Sequence, residues 1–208
     1  VEITPIDPTN PAELKAFPGH FQAKNGDKEG LLETYVPMEV KAKGQKGEDL
    51  QIKSGETATY EFPIPAGLST VPDEIDVWTL DEKTGVWGYE GKAKKSKNEN
   101  GREIYTADVK HMSWWNCDSF INSITCVRGC VEQGGAQVSG AVVTFTGLGW
   151  RFRGTDTTDG DGCVYANLQQ SSEVSIFAAN GAGFSQARTF TTDGVSKRWE
   201  AGKQACQN

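Results

Sequence analysis

The chain reads as all-β, with two β-sandwich domains in tandem. Three observations predict this. Apolar and polar residues alternate with a period of two, no stretch holds a helical period for three turns, and turn clusters recur about every 8 to 12 residues along the second half. At 208 residues the chain is longer than the roughly 100 to 150 of one typical domain. Its composition changes after Asp118: residues 1–118 hold 14 basic and 21 acidic side chains, residues 119–208 hold seven of each, and all eight prolines lie between Pro5 and Pro72. The boundary is therefore expected within Asp118–Thr125, giving domains at 1–118 and 119–208.

In the first half Met38, Val40 and Ala42 alternate with Glu39, Lys41 and Lys43. Ala58, Tyr60 and Phe62 alternate with Thr59 and Glu61, and Ile75 and Val77 lead into Trp78-Thr79-Leu80. Each set places its apolar members on one face of a strand. Turns are expected at Lys43–Gly47, Lys53–Glu56 and Asp81–Gly85, the last as a hairpin loop ending in a left-handed glycine. The lysine-rich run Lys92–Gly101 reads as a solvated loop.

Shorter units follow in the second half: Cys126–Glu132, Ala141–Gly147, Trp150–Asp156, Gly162–Leu168, Glu173–Ala179 and Gln186–Thr192. Their spacing is that of a small sandwich. Asp159-Gly160-Asp161-Gly162 supplies a turn in which the first carboxylate can bond the backbone two residues on.

Val127-Arg128-Gly129, Val138-Ser139-Gly140-Ala141-Val142-Val143 and Thr157-Thr158-Asp159-Gly160-Asp161-Gly162-Cys163 together resemble a carboxypeptidase-regulatory or transthyretin-like module over residues 124–208. That resemblance implies a sandwich without a catalytic group. More distantly, Phe17-Pro18-Gly19-His20-Phe21, Trp78–Trp87 and His111–Asp118 are similar to the ZU5-like extracellular β-domain of cartilage intermediate layer proteins and bacterial surface lipoproteins. The similarity thins between Gly91 and Thr106.

Several function classes are excluded or disfavoured. A net charge of −7 argues against a nucleic-acid binder, which presents a basic face. No apolar run approaches the roughly 20 residues that cross a bilayer, so no membrane insertion is expected. The start at Val1 has no signal-like segment and no Met, as a mature form or part of a longer chain would show. Aligning Gly162 to the sixth position of an EF-hand loop puts Thr157 first and Leu168 twelfth, which rules out that site. Cys126 and Cys130 lack a second pair, and the only histidines are His20 and His111, so no zinc site is expected. No cofactor and no metal are expected. A Lys isopeptide cross-link is discounted in the second half, whose only lysines are Lys197 and Lys203.

Five cysteines, Cys117, Cys126, Cys130, Cys163 and Cys206, are disulfide candidates, and the odd count leaves at least one thiol over. Cys206 could tie down the last strand by bonding Cys126 or Cys130. Cys117, if bonded into the second half, would join the two domains. Trp150 and Phe152 are the candidate glycan-stacking pair among the aromatic residues, the alternative being core. His111 and Ser113, sharing a strand face with Met112 between them, form the candidate chemical pair. In ZU5-like domains a similar His-Phe-Ser triplet cuts its own backbone, so the resemblance implies a cut between Met112 and Ser113. The expected function is a non-catalytic, secreted or cell-envelope module with a structural, adhesive or binding role toward a surface protein or glycan. The alternatives are a self-cleaving module and a carbohydrate-binding module.

Overall fold

The computed structural model describes every residue except Lys15, Gly19, His20, Ser69, 199–205 and Asn208, so the sequence features at Gly19, His20, Trp199 and Lys203 lie outside the described residues. Among the described residues the fold is all-β, with a single helical turn at Pro11–Leu14 that Asn10 caps through a 3.0 Å bond to the Ala12 amide. The chain splits into two compact units, Val1–Phe120 and Ile121–Asn208.

The first unit contains β1 (Glu2–Pro5), β2 (Gln22–Asn25), β3 (Lys28–Lys43), β4 (Asp49–Leu50), β5 (Ala58–Pro63), β6 (Glu74–Asp81), β7 (Val86–Lys97), β8 (Glu103–Val109) and β9 (Trp114–Ile121). They form one nine-stranded sheet in the order β1-β3-β9-β6-β7-β8-β5, with β4 on β3. β2 pairs antiparallel with β3 and parallel with β7, so the ladder β3-β9-β6-β7-β2 returns to the strand it began on. Val36 and Val40 of β3 share a hydrophobic cluster with Phe62 of β5, although β3 and β5 lie far apart in the pairing order. The sheet is thus folded over on itself. The alternating residues Met38, Val40, Ile75 and Val77 all enter that cluster.

The Asp81–Gly85 turn has the form its sequence dictates. Gly85 adopts φ +71° and donates to the Asp81 carbonyl at 2.7 Å, while the Asp81 carboxylate accepts the Lys83 amide at 2.9 Å. The lysine run differs from expectation. Lys92–Lys97 is the second half of β7, and only Asn98–Gly101 turns. Ala93 is fully buried between flanking lysines, and Lys92 and Lys95 pair with Glu74 at 2.6 Å and Asp73 at 3.3 Å. Long aliphatic stems let lysines line a half-buried strand while their charges stay in water.

In the second unit, β10 (Ile124–Cys130) pairs with β15 (Cys163–Gln169), and β11 (Glu132–Gln133) forms a small hairpin with β12 (Ala136–Gln137). A five-stranded sheet contains β13 (Val142–Leu148), β14 (Arg153–Thr157), β16 (Glu173–Asn180), β17 (Gly183–Phe184) and β18 (Arg188–Thr191). The two sheets face each other closely at Gly129 of β10, where an added Cβ would stand 3.1 Å from Ile176 of β16 and 3.9 Å from Phe145 of β13. Between them lie Val127, Val143, Phe145, Val164, Leu168 and Val174, all buried. The Asp159 carboxylate accepts the Asp161 and Cys163 amides at 3.0 and 2.9 Å, with Gly162 at φ +72°. That turn is closed by its own backbone.

Two disulfides lie in this unit. Cys130 and Cys163 stand directly opposite in the β10–β15 ladder and are bonded. Cys126, on the same strand, bonds Cys206, and beside it Gln207 exchanges backbone hydrogen bonds with Cys126 at 3.0 Å and Arg128 at 2.6 Å. Of the five candidates Cys117 is the exception: it is a buried free thiol in the first unit.

Candidate functional site

Strand β9 carries most of the chemistry in the first unit. Its alternation sends Trp115 and Cys117 into the hydrophobic cluster, which sets Asn116 and Asp118 together on the opposite face. Burial pushes the Cys117 thiol well up from its ordinary range, with the Asp118 charge adding to the effect. At neutral pH it is an unionised core side chain.

Asn116 and Asp118 are themselves fully buried, as is Thr34 on the neighbouring strand β3. The three form one network. The Thr34 hydroxyl donates to Asp118 Oδ1 at 2.9 Å, and the Tyr35 backbone N–H donates to the same oxygen at 2.9 Å. The Asn116 amide group donates to Thr34 Oγ1 at 3.0 Å and to Asp118 Oδ2 in a close contact. Trp78, also fully buried, donates its indole N–H to the Asp118 carbonyl at 3.2 Å and stacks on Phe120 at 5.2 Å. A carboxylate taken out of water is tolerable only with such a set of donors.

The sequence pair His111 and Ser113 is not brought together by a strand. Residues 111–113 form a bend, and β9 begins only at Trp114. The His111 ring packs on Trp115, centroids 4.7 Å apart. Ser113 instead lines a shallow cleft with Met112, Gln51, Glu39, Lys41 and Asp49, and its carbonyl accepts the Val40 amide at 3.0 Å. Met112 is held by the Gln51 side chain: its N–H donates to Gln51 Oε1 at 2.7 Å, and its carbonyl accepts from Gln51 Nε2 at 3.0 Å. The described non-glycine residues at positive φ are Phe21 and Ser171, so the Met112–Ser113 peptide carries no left-handed strain. The expected outcome of prolonged incubation at neutral pH is one uncut chain. Denaturing mass spectrometry checks it, and fragments of 112 and 96 residues would reverse that expectation.

Trp150 and Phe152 are buried, 8% and 5% exposed, and stack on each other with centroids 4.6 Å apart. Gly147 makes room for the indole, since a Cβ there would come within 2.6 Å of Trp150 Nε1. This pair is core and offers no open face for a sugar. Trp78, Trp87 and Trp115 are buried as well, and Phe17 stacks on Phe21 at 4.1 Å and packs on Trp87 at 5.2 Å. Among the described residues no group of three His, Cys, Asp or Glu is placed to hold a metal ion.

Sequence reasoning passed over Thr34, Asn116 and Asp118 as site residues. One signal was present: Asn116 and Asp118 are polar residues at i and i+2 that alternate with Trp115 and Cys117, which places two polar groups on one strand face. Thr34 carried none, because its partners are 82 and 84 residues away. Compared with family models, curated proteins and solved structures, the chain finds no match in any of the three.

Proposed function

We propose that this chain is a non-catalytic module of a secreted or cell-envelope protein, with a structural, adhesive or binding role. The observation that carries the reading is the pair of disulfides Cys126–Cys206 and Cys130–Cys163, because such bonds persist in oxidising compartments and are characteristic of small extracellular domains with a limited core. Among the described residues no helix is long and apolar enough to cross a membrane, which fits a module displayed outside it. The second unit is read as carboxypeptidase-regulatory or transthyretin-like, and its two facing sheets and Asp159–Gly162 turn support that. The first is read as ZU5-like on the residues of β6, β7 and β9. A binding role is supported by Phe184, an aromatic side chain left 87% exposed on β17. The partner class is a surface protein or glycan.

The test is a thiol count on protein recovered from its native compartment, together with surface labelling by an impermeant biotin reagent. The expected result is surface labelling, no alkylation of the folded protein, and one alkylated cysteine, Cys117, after unfolding without reductant. Burial and a raised thiol pKa keep Cys117 unreactive until the first unit opens. Five alkylated cysteines in cytosolic material would overturn the proposal.

A further inference from the structure

A Cβ at Gly129 would point at Ile176 and Phe145 of the facing sheet, so its neighbours Arg128 and Cys130 project from the other face of the β10–β15 pair. On that face Cys130 stands opposite Cys163 and is bonded to it. The two ends of this bond are unlike, since Cys130 is exposed and Cys163 is buried. The Arg128 guanidinium, diagonal to Cys163 across the ladder, donates from Nη2 to Cys163 Sγ at 3.1 Å. The Asp161 carbonyl lies 3.4 Å from the same sulfur. No ion pair among the described residues engages Arg128. The Cys126–Cys206 bond has no exposed end: Cys126 is buried and Cys206 half-buried.

We propose that Cys130 is a thiol-exchange site, which takes up an external small-molecule thiol as a mixed disulfide while Cys163 leaves as a thiolate held by Arg128. The incoming thiolate attacks Cys130 Sγ. A sulfur–sulfur bond forms between the two as the Cys130–Cys163 bond breaks, and the electron pair of the broken bond departs on Cys163 Sγ. The incoming sulfur is oxidised to the disulfide level and Cys163 is reduced, so the electrons balance and the thiol is the only co-reactant.

Access and charge both set the direction of the exchange. An attacking sulfur must reach the one it bonds, which selects Cys130 over the buried Cys163. Burial alone would disfavour a thiolate on Cys163, and the guanidinium at 3.1 Å supplies the counter-charge. A sulfur stabilised as a thiolate leaves faster. Once it takes up a proton, the Cys163 thiol has the Asp161 carbonyl as its acceptor. The adjoining pair Gly129 and Val164 keeps the two cysteines facing each other, so Cys163 is placed to close the bond again when the external thiol is withdrawn. The chain thereby carries one exchangeable disulfide and one that stays shut.

The experiment exposes the folded, oxidised full chain to excess glutathione at neutral pH, quenches samples at intervals with maleimide under mildly acidic conditions, and maps the peptides without reduction. The expected first product carries glutathione on Cys130 and maleimide on Cys163, and it forms about tenfold faster than Cys126–Cys206 opens, or more. Arg128→Met, which keeps an apolar stem without the charge, should slow the opening of Cys130–Cys163 by about three- to tenfold and leave Cys126–Cys206 unchanged. Arg128→Lys should recover most of the rate. A variant that loosened the unit would instead speed both bonds, and Arg128→Gln set against Arg128→Lys then makes the same comparison. Glutathione appearing first on Cys163 overturns the proposal. So does equal opening of the two disulfides, no opening of either, or a set of Arg128 variants in which losing the charge never slows the exchange.

Discussion

Joint replacement of Cys126 and Cys206 by serine is expected to destabilise the second unit by about 4.5 kcal/mol, the chain-entropy value for a loop of the 80 residues separating them. For a domain whose total stability is on the order of 5–15 kcal/mol, that leaves little margin. Replacing Cys130 and Cys163, which close a loop of 33, should cost about 3.7 kcal/mol by the same relation. The order of the two effects is the sharper test. Cys130–Cys163 staples residues that the β10–β15 ladder already sets opposite each other, whereas Cys126–Cys206 closes the longer loop and joins residues 80 apart in sequence. Denaturant unfolding of each pair variant, followed by fluorescence and by circular dichroism, measures both. Equal midpoints for the wild type and the Cys126/Cys206 variant would show that the second unit stands without its longer bond.

Asp118→Ala is the second large effect, expected in the first unit at about 3–5 kcal/mol. The substitution removes the acceptor shared by the Thr34 hydroxyl, the Tyr35 N–H and the Asn116 amide, while Thr34 and Asn116 keep their bonds to each other, and Thr34, Asn116 and position 118 are all fully buried. Each buried donor left without a partner costs about 1–3 kcal/mol, and partial collapse or an entering water recovers some of the sum. Asp118→Asn, which keeps the volume and one acceptor, should cost clearly less. Cys117→Val makes the control, because it alters the neighbouring residue on the opposite face and keeps that face apolar. Thermal melts of the three variants decide the matter. An Asp118→Ala melting temperature no lower than that of Cys117→Val would mean the network contributes nothing.

Much of the fold was legible because its causes are local. Met38, Val40 and Ala42 each face the interior, and the Asp81–Gly85 and Asp159–Gly162 turns form because their own Asp carboxylates and glycines close them. The strand at Val142–Leu148 falls within a residue of the alternation that predicts it. Lys92–Lys97 reads as loop in the sequence because charge hides the aliphatic stems that cover a strand. His111 and Ser113 share a strand face only if the strand reaches them, but β9 starts at Trp114, and a two-residue periodicity has no force in a bend. Trp150 and Phe152 were ambiguous in sequence, since the same aromatic pair suits a core or a platform, and only Gly147 beneath the indole decides it. Neither the disulfide pairing nor the Thr34–Asn116–Asp118 network could be read, because both depend on which distant strands become neighbours.

The Cys126–Cys206 bond also sets how the second unit answers a pull. Force entering the chain at residue 126 and leaving at 206 crosses one disulfide and never reaches the strands between. Those 80 residues, extended at about 3.3–3.6 Å each, represent roughly 270 Å of length that an oxidised chain withholds. While the bond is intact the unit is an almost inextensible link whose sheets can loosen without lengthening the molecule. Opening that bond alone releases the segment except for the 33 residues still closed by Cys130–Cys163, and opening both turns all of it into slack, so the reach of the chain under tension is set by the redox state of two nested bonds.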